Sequence, residues 1–175
     1  MTAASEFPHL VPLDSLAETG RRITLAADEA ERAALARRFG LIAIDALAAD
    51  GEARRAGPLV HFAGRLVADV VQSCVATGDP VAAHVDSDFV LRFVPREMEP
   101  VHDEVELSEE DCDTIVYDGG AIDLGEAVAE TLSLELDPFP RSPDADAVLR
   151  AAGVKSEEEI APSGPFAALK GLLGK

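Results

Sequence analysis

Tryptophan is absent from this chain of 175 residues, and tyrosine occurs once, at Tyr117. RNA-binding folds that read single strands stack bases on several aromatic side chains, so this composition argues against an RRM-type surface. Basic residues are also few, since 15 lysines and arginines stand against 33 acidic residues and the formal net charge is −18. A protein of this charge repels phosphate backbones and attracts basic proteins.

Cysteine is nearly absent as well. The chain has Cys74 and Cys112, too few for a disulfide framework and, by themselves, too few for a structural zinc site, which takes four ligands. We therefore expect neither a metal nor another cofactor. No apolar run approaches the ~18 residues of a membrane span. The first residues lack the basic and apolar regions of a secretory signal, which predicts a cytoplasmic location.

The sequence also lacks a recognisable catalytic constellation. It contains no Gly-rich phosphate loop and no H-E-x-x-H motif, and neither cysteine has a local activating partner. His61 and His84 fall on predicted strands, where we expect exposed or hydrogen-bonded side chains rather than ligands. The carboxylates in Glu109–Asp113 are spaced unlike an EF-hand loop, so we expect a solvated acidic run. These features predict that the protein is not an enzyme.

The acidic residues that are present lie mostly in the second half of the chain. Residues 97–160 carry 20 acidic and 3 basic side chains, a net charge of −17, whereas residues 1–96 have a net charge of −3. Such a field steers association with a basic partner. A solvated acidic surface without a specific ligand is the alternative.

The first half of the chain predicts one helix and several strands. Arg21–Leu25 alternates as a strand does, and Glu29–Phe39 is rich in helix formers, with Asp28 as N-cap and Gly40 as the left-handed stop. From Leu41 to Pro95 the apolar period is two. Within that stretch we expect a hairpin turn at Asp50–Gly51 and a bulge at Gly64. We expect a second reversal at residues 77–80.

The second half predicts a surface loop, a second helix and a tail. We expect the loop over residues 96–120, with a short strand at Thr114–Tyr117. Asp123 is placed to cap the helix and Glu126 to complete a capping box, while Pro138 prevents further helix. Residues 144–152 predict a short helical turn. Together these elements predict an α+β fold: an antiparallel, strongly bent or barrel-like sheet with two main helices and a C-terminal helical tail.

We expect one domain over residues 1–152, a flexible acidic linker over 153–164 and a short amphipathic tail over 165–175. The tail places Phe166, Leu169, Leu172 and Leu173 at helical spacing. A helix this short is marginal alone, so we expect the tail to order on a partner or to dock loosely on its own domain, and to be dispensable for folding.

Several segments, in order along the chain, carry a family resemblance. They are Val70–Val81, Asp118–Gly120, Ala121–Arg141 and Pro165–Lys170, with a weaker likeness at Leu35–Leu41. They resemble the bacterial YceD family, the large ribosomal RNA subunit accumulation proteins. Many relatives carry a cysteine pair near the position of Cys74, whereas this chain keeps one, which agrees with the expected absence of a metal.

The resemblance implies a non-enzymatic role in the synthesis, processing or stability of 23S rRNA during large-subunit assembly. The implied partner is 23S rRNA or its precursor, contacted directly or through a basic ribosomal protein. The alternative is an acidic adaptor that binds a basic protein without touching RNA. The leading candidate surface for partner binding is the segment that recurs in the family. It comprises Asp137, Pro138, Phe139, Pro140 and Arg141.

Three arginine pairs are candidates for RNA contact, because guanidinium groups grip phosphates with forked donors. They act together only if the fold brings them to one face. The alternative is that each pair balances nearby acidic residues. The pairs are Arg21 with Arg22, Arg37 with Arg38, and Arg54 with Arg55.

Overall fold

The computed structural model describes residues 5–98 and 113–155. These ranges contain three helices and a mostly antiparallel set of strands, which confirms the predicted α+β class. The elements are β1 (Leu10–Pro12), β2 (Arg21–Ala26), α1 (Glu29–Phe39), β3 (Ala43–Ala56), β4 (Leu59–Ser73), β5 (Pro80–Pro95), β6 (Asp113–Tyr117), β7 (Ala121–Asp123), α2 (Leu124–Glu135) and α3 (Ala145–Ala151), with single 3₁₀ turns at Leu13–Ser15 and Arg96–Met98.

Five strands form the main sheet, in the order β2-β3-β4-β5-β6. The first four pair antiparallel, whereas β6 runs parallel to β5. The short strands β1 and β7 pair antiparallel in a second sheet. The outer strands β2 and β6 do not pair with each other in the described part of the chain, so the sheet there is not a closed barrel. The predicted strong bend stays a prediction.

The core lies between one face of the main sheet and α2. The predicted apolar period of two is confirmed on β4, since Val60, Phe62, Leu66, Ala68 and Val70 are at most 2% exposed. The ring of Phe62 meets that of Phe89 edge to face at 5.0 Å between centroids. The buried stripe of α2 packs against β4 and β5. Its members are Leu124, Ala127, Val128, Thr131 and Leu132.

The hairpin turn predicted at Asp50–Gly51 is wrong. β3 runs straight through both residues, and the chain reverses instead at residues 57–58, where Gly57 has φ +62°. Gly51 faces Gly64 on β4, and a Cβ on Gly51 would lie 2.7 Å from the ring of Phe62. The two glycines therefore serve close packing between strands rather than a turn.

The bulge expected at Gly64 is likewise not found there. Gly64 keeps regular pairing with both neighbouring strands. The register of β3 against β4 shifts instead between Ile44 and Ala46. The second predicted reversal is confirmed, because β4 ends at Ser73 and β5 begins at Pro80.

The predicted cap of α1 is confirmed in detail. Asp28 accepts a hydrogen bond from the Glu31 amide at 2.9 Å, Glu31 accepts one from the Asp28 amide at 2.8 Å, and Gly40 ends the helix with φ 67°. Asp123 caps α2 as predicted, accepting from the amides of residues 125 and 126. Glu126 was predicted to complete a capping box, and this is wrong because its carboxylate binds Arg38 instead.

α3 confirms the short helix predicted near residue 144. Within the described ranges, no helix is long and apolar enough to span a membrane. Several predictions concern residues outside the described ranges. These are most of the linker, the whole tail 165–175, His102, Cys112 and the acidic run Glu109–Cys112. The division into domain, linker and tail therefore stays a prediction.

Candidate functional site

The candidate segment Asp137–Arg141, here called the proline segment, lies against the end of β4. Three hydrogen bonds hold this region. The side chain of Gln72 donates to the Asp137 carbonyl at 2.8 Å, and the Val75 amide donates to the Pro140 carbonyl at 2.9 Å. The Ser142 amide donates to the Cys74 sulfur at 3.3 Å. The segment that follows α2 is thus hydrogen-bonded to the end of β4, 65 or more residues earlier in the sequence.

Within the proline segment, Pro140 is the one buried side chain, and the exposed residues beside it include one aromatic ring. Pro140 is buried, whereas Phe139 is 71% exposed. The Phe139 amide donates to the Asp137 carboxylate at 2.9 Å, which fixes the turn. Arg141 forms an ion pair with Asp146 of α3 at 2.9 Å. The segment therefore holds an exposed phenylalanine on a backbone that its neighbours constrain.

A groove of about 350 Å³ lies beside the proline segment. The ends of α1, β4 and α2 form its walls, together with Asp137, Pro138 and Pro140. Gln72 lines it, and the Gln72 side-chain oxygen is buried with no hydrogen-bond partner among the described residues. Buried acceptors of this kind are rare in folded proteins. Sequence reasoning gave no signal for this residue.

Cys74 lies under the proline segment and is 3% exposed. Hydrogen bonding from Ser142, then from Thr77, lowers the pKa of Cys74 to about 6, against the opposing effect of burial. The hydroxyls of Thr77 and Ser142 lie 3.3 Å apart. The neighbours of the sulfur are therefore hydroxyl and amide donors. In the described ranges no group of three or more His, Cys, Asp or Glu side chains is placed to hold a metal ion.

Two of the candidate arginines are paired with carboxylates. Arg22 binds Asp50 at 2.6 Å, which raises the pKa of Arg22 and lowers that of Asp50. Arg38 binds Glu126 at 2.7 Å and Glu6 at 2.9 Å, and the hydrogen bond to Glu126 in particular raises the pKa of Arg38. These contacts fit the alternative that the arginines balance acidic residues.

Two further arginines donate to loop oxygens. Arg55 donates to the carbonyls of Leu13 and Gly57 at 3.0 and 2.8 Å, and Arg21 donates to the Ser15 hydroxyl at 3.4 Å. The side chains of Arg37 and Arg54 are exposed and make no hydrogen bond or ion pair with any described residue. Of the six candidates, these two are therefore the most available to a ligand.

The three arginine pairs do not form one patch. Arg21 and Arg22 pair with residues 53 and 52 of β3, next to Arg54 and Arg55. α1, by contrast, ends beside the start of β3, and the eleven residue steps from Ala43 to Arg54 span up to roughly 35 Å. Arg37 and Arg38 thus belong to the other end of the sheet. Whether any of the six contacts RNA stays a prediction.

Strand register brings together a basic row that sequence reasoning missed. Arg54 of β3 faces His61 of β4, and His61 faces Arg92 of β5. Arg92 also donates to Thr114 of β6 at 3.1 Å. The row crosses the face of the sheet that points away from α2. Only the register could reveal it, because the three residues are separated by 7 and 31 positions in the sequence.

Comparison with known families gives one match. A family model described as "Large ribosomal RNA subunit accumulation protein YceD" matches residues 62–173. The chain belongs to the YceD family. Searches of curated proteins and of solved structures gave no match. The YceD match contains Gln72, Cys74 and the whole proline segment, whereas all six candidate arginines precede residue 62.

Proposed function

We propose that this YceD-family protein is a non-enzymatic cytoplasmic factor that supports 23S rRNA synthesis, processing or stability during biogenesis of the large ribosomal subunit. Membership of a family described by accumulation of large-subunit ribosomal RNA supports this proposal. Accumulation is an outcome, an amount of RNA, which the protein affects through a contact on its surface.

We place the main contact at the proline segment. The observation that carries this choice is Phe139, 71% exposed on a backbone tied to β4 through Gln72 and Val75. Rigid exposed aromatic side chains are typical binding hot spots, because they bury much apolar area at little entropic cost. The neighbouring groove, which Pro138 and Pro140 help to line, adds a concave surface for a bound protein segment.

A basic protein is the partner that this surface favours. The segment lies within residues 97–160, whose net charge of −17 attracts cations and repels phosphates. Four of the six candidate arginines already donate to oxygens of their own chain. These contacts favour the adaptor form of the proposal, in which 23S rRNA is reached through a basic ribosomal protein.

A deletion strain tests the function. We expect its ratio of 23S to 16S rRNA to fall, and the wild-type chain to restore it. An unchanged ratio with normal subunit profiles would contradict the proposed role.

Complementation by two variants tests the site. Phe139→Ala should fail to restore the ratio, whereas Val90→Ala should restore it, because Val90 is an equally apolar exposed residue, 50% exposed, on the sheet face. Thermal unfolding of both purified variants should match the wild type, since neither side chain is buried. Full restoration of the rRNA ratio by Phe139→Ala would show that the contact lies elsewhere on the protein.

The adaptor form has its own test. Proteins captured from a lysate on the purified chain should include a basic ribosomal protein whose binding persists after nuclease treatment. Capture that disappears with nuclease would instead favour direct contact with RNA.

A further inference from the structure

A larger groove lies at the other end of α2, with a volume of about 700 Å³. The first turns of α2, the N-terminal arm and β6 form its walls. We call it the α2 groove. Its floor is apolar, since Phe93, Ile122 and Ala127 line it and are at most 2% exposed. Leu10, which is 68% exposed, forms part of the rim.

The rim of the α2 groove is acidic. Five carboxylates line it and one guanidinium, that of Arg38, is present. Most of these carboxylates already have partners. Glu6 and Glu126 share Arg38, Asp118 pairs with Arg96, and Asp123 caps α2. Glu130 is the exception, because it forms no ion pair with a described residue.

Glu130 is held in an unfavourable electrostatic position. Desolvation, and then the neighbouring charge of Glu126, raise the pKa of Glu130 above its usual range. Glu130 is exposed, but its carboxylate lies beside an apolar floor and near a second carboxylate, that of Glu126. A cation placed there would offset the repulsion between them. The groove is thus suited to a ligand that carries an apolar face next to a positive charge.

The chain itself contains one segment of this chemistry. Residues 161–175 include two lysines and no acidic residue, in contrast to the strongly acidic sequence that precedes them. Phe166, Leu169, Leu172 and Leu173 recur at helical spacing, and Lys170 flanks that stripe. The charge and the apolar pattern of this segment are both complementary to the groove.

The connecting sequence is long enough to allow the contact. The described residues end at 155, and the ten residues from there to Pro165 span up to roughly 35 Å when extended. A compact domain of about 150 residues has a radius of gyration near ~15 Å, and hence a diameter of roughly 40 Å. A segment starting at residue 165 therefore reaches most of the surface of its own domain.

We propose that the α2 groove binds residues 165–175 of the same chain, with Phe166, Leu169, Leu172 and Leu173 on its apolar floor and Lys170 beside Glu130. The contact is independent of the proposed role in rRNA accumulation. It occupies the opposite end of α2 from the proline segment, so both surfaces can be engaged at once. The linker keeps the local concentration of the segment high, which makes a weak contact effective.

Photocrosslinking in the full-length chain tests the proposal. Benzoylphenylalanine in place of Leu10 should crosslink to residues 165–175, as identified by mass spectrometry. The same probe in place of Val90, exposed on the sheet face, should give no such product. Mixing ¹⁵N-labelled and unlabelled chains should yield crosslinks within one isotope only. Absence of the Leu10 product, or products that join the two isotopes, would overturn the proposal.

Charge exchange tests the predicted lysine contact. Glu130→Lys should reduce the crosslink yield at least tenfold, and adding Lys170→Glu should restore most of it. Glu52→Lys, which reverses an exposed carboxylate outside the groove, is the matched control and should leave the yield unchanged. Equal yields from Glu130→Lys and Glu52→Lys would overturn the assignment. Leu169→Asp with Leu172→Asp should abolish the product, since the apolar floor would then lose its ligand.

Discussion

Gly51 and Gly64 face each other across β3 and β4 because the strands approach too closely there for side chains. A Cβ on Gly64 would collide with the Asp50 carbonyl oxygen and would lie 2.6 Å from the Cα of Gly51. These are backbone atoms that cannot rotate away. We expect Gly64→Ala to lower the free energy of unfolding by about 2–3 kcal/mol.

Gly120 provides the control for this substitution. A Cβ there meets nothing within 4 Å, and its φ lies outside the left-handed region. Gly120→Ala should therefore change the free energy of unfolding by less than about 0.5 kcal/mol. Urea denaturation of both variants measures the difference, and similar costs at the two positions would contradict the packing explanation.

Cys74 predicts a dependence of stability on pH. The folded-state pKa of about 6 lies below the ordinary thiol value of about 8.5, so the folded state favours the thiolate. The resulting stabilisation is complete above the unfolded-state pKa and is lost as pH falls through the folded-state pKa. Relative to Cys74→Ser, the wild-type side chain should gain stability between about pH 6 and about pH 8.5.

Urea midpoints of the two proteins across this range test the prediction. Both should carry Cys112→Ser, so that no second thiol contributes. A wild-type advantage that stays constant with pH would show that the Cys74 thiol is not ionised in the folded protein. The thiol should also react slowly with alkylating agents in the native state, because it is buried despite its lowered pKa.

At the scale of helices and strands, the sequence correctly predicted the features that depend on interactions between neighbouring residues. Asp28, Gly40 and Asp123 act within a few residues of their own position, so sequence alone placed both main helices. Asp50–Gly51 failed as a turn because contacts with Phe62 and Gly64, more than ten residues away, override a local preference. Glu126 failed as a capping residue because Arg38, 88 positions earlier, binds it.

The same limit applies to the candidate site. The proline segment was predicted from a sequence resemblance, and its position at the end of β4 was not. In the sequence, Gln72 is only a polar residue near a strand end. Its side-chain nitrogen binds the Asp137 carbonyl and its oxygen stays unpaired, and both facts depend on the position of residue 137 in the fold. The row of Arg54, His61 and Arg92 required the register of three strands. Local sequence patterns do not show which distant residues will pair.

Asp123 connects the N-terminal arm to α2, and this connection can be measured. Its carboxylate accepts hydrogen bonds from the amides of residues 125 and 126 and from that of His9 at 2.8 Å. Asp123→Ala removes all three. We expect a loss of about 1–2 kcal/mol in the free energy of unfolding.

Asp144 is the matched control, since it occupies the N-cap of α3 but makes no capping hydrogen bond with its side chain. Asp144→Ala should therefore cost less than about 0.5 kcal/mol. Thermal or urea unfolding of the two variants decides the point. An equal cost would mean that the capping contacts of Asp123 contribute nothing beyond its charge near the helix end.

The charge of the whole molecule limits what any basic residue can do for RNA binding. With a net charge of −18 and few available arginines, the isolated protein should bind single-stranded RNA weakly and lose that binding as salt rises. Arg54 should contribute, because its side chain is exposed and forms no hydrogen bond or ion pair with a described residue. Arg22 should not, because Asp50 already neutralises it.

Arg54→Ala and Arg22→Ala form a balanced comparison, since each removes one positive charge from the same end of the sheet. Fluorescence anisotropy with labelled RNA between about 50 and 200 mM salt gives the slope of log affinity against log salt. Arg54→Ala should reduce the size of that slope by about 0.7–0.9, the value of one lost phosphate contact, whereas Arg22→Ala should leave it unchanged. Equal changes would mean that RNA senses only the overall charge of the protein. Tight binding that persists at high salt would instead require a preformed basic site, and the adaptor form of the proposed function would then be wrong.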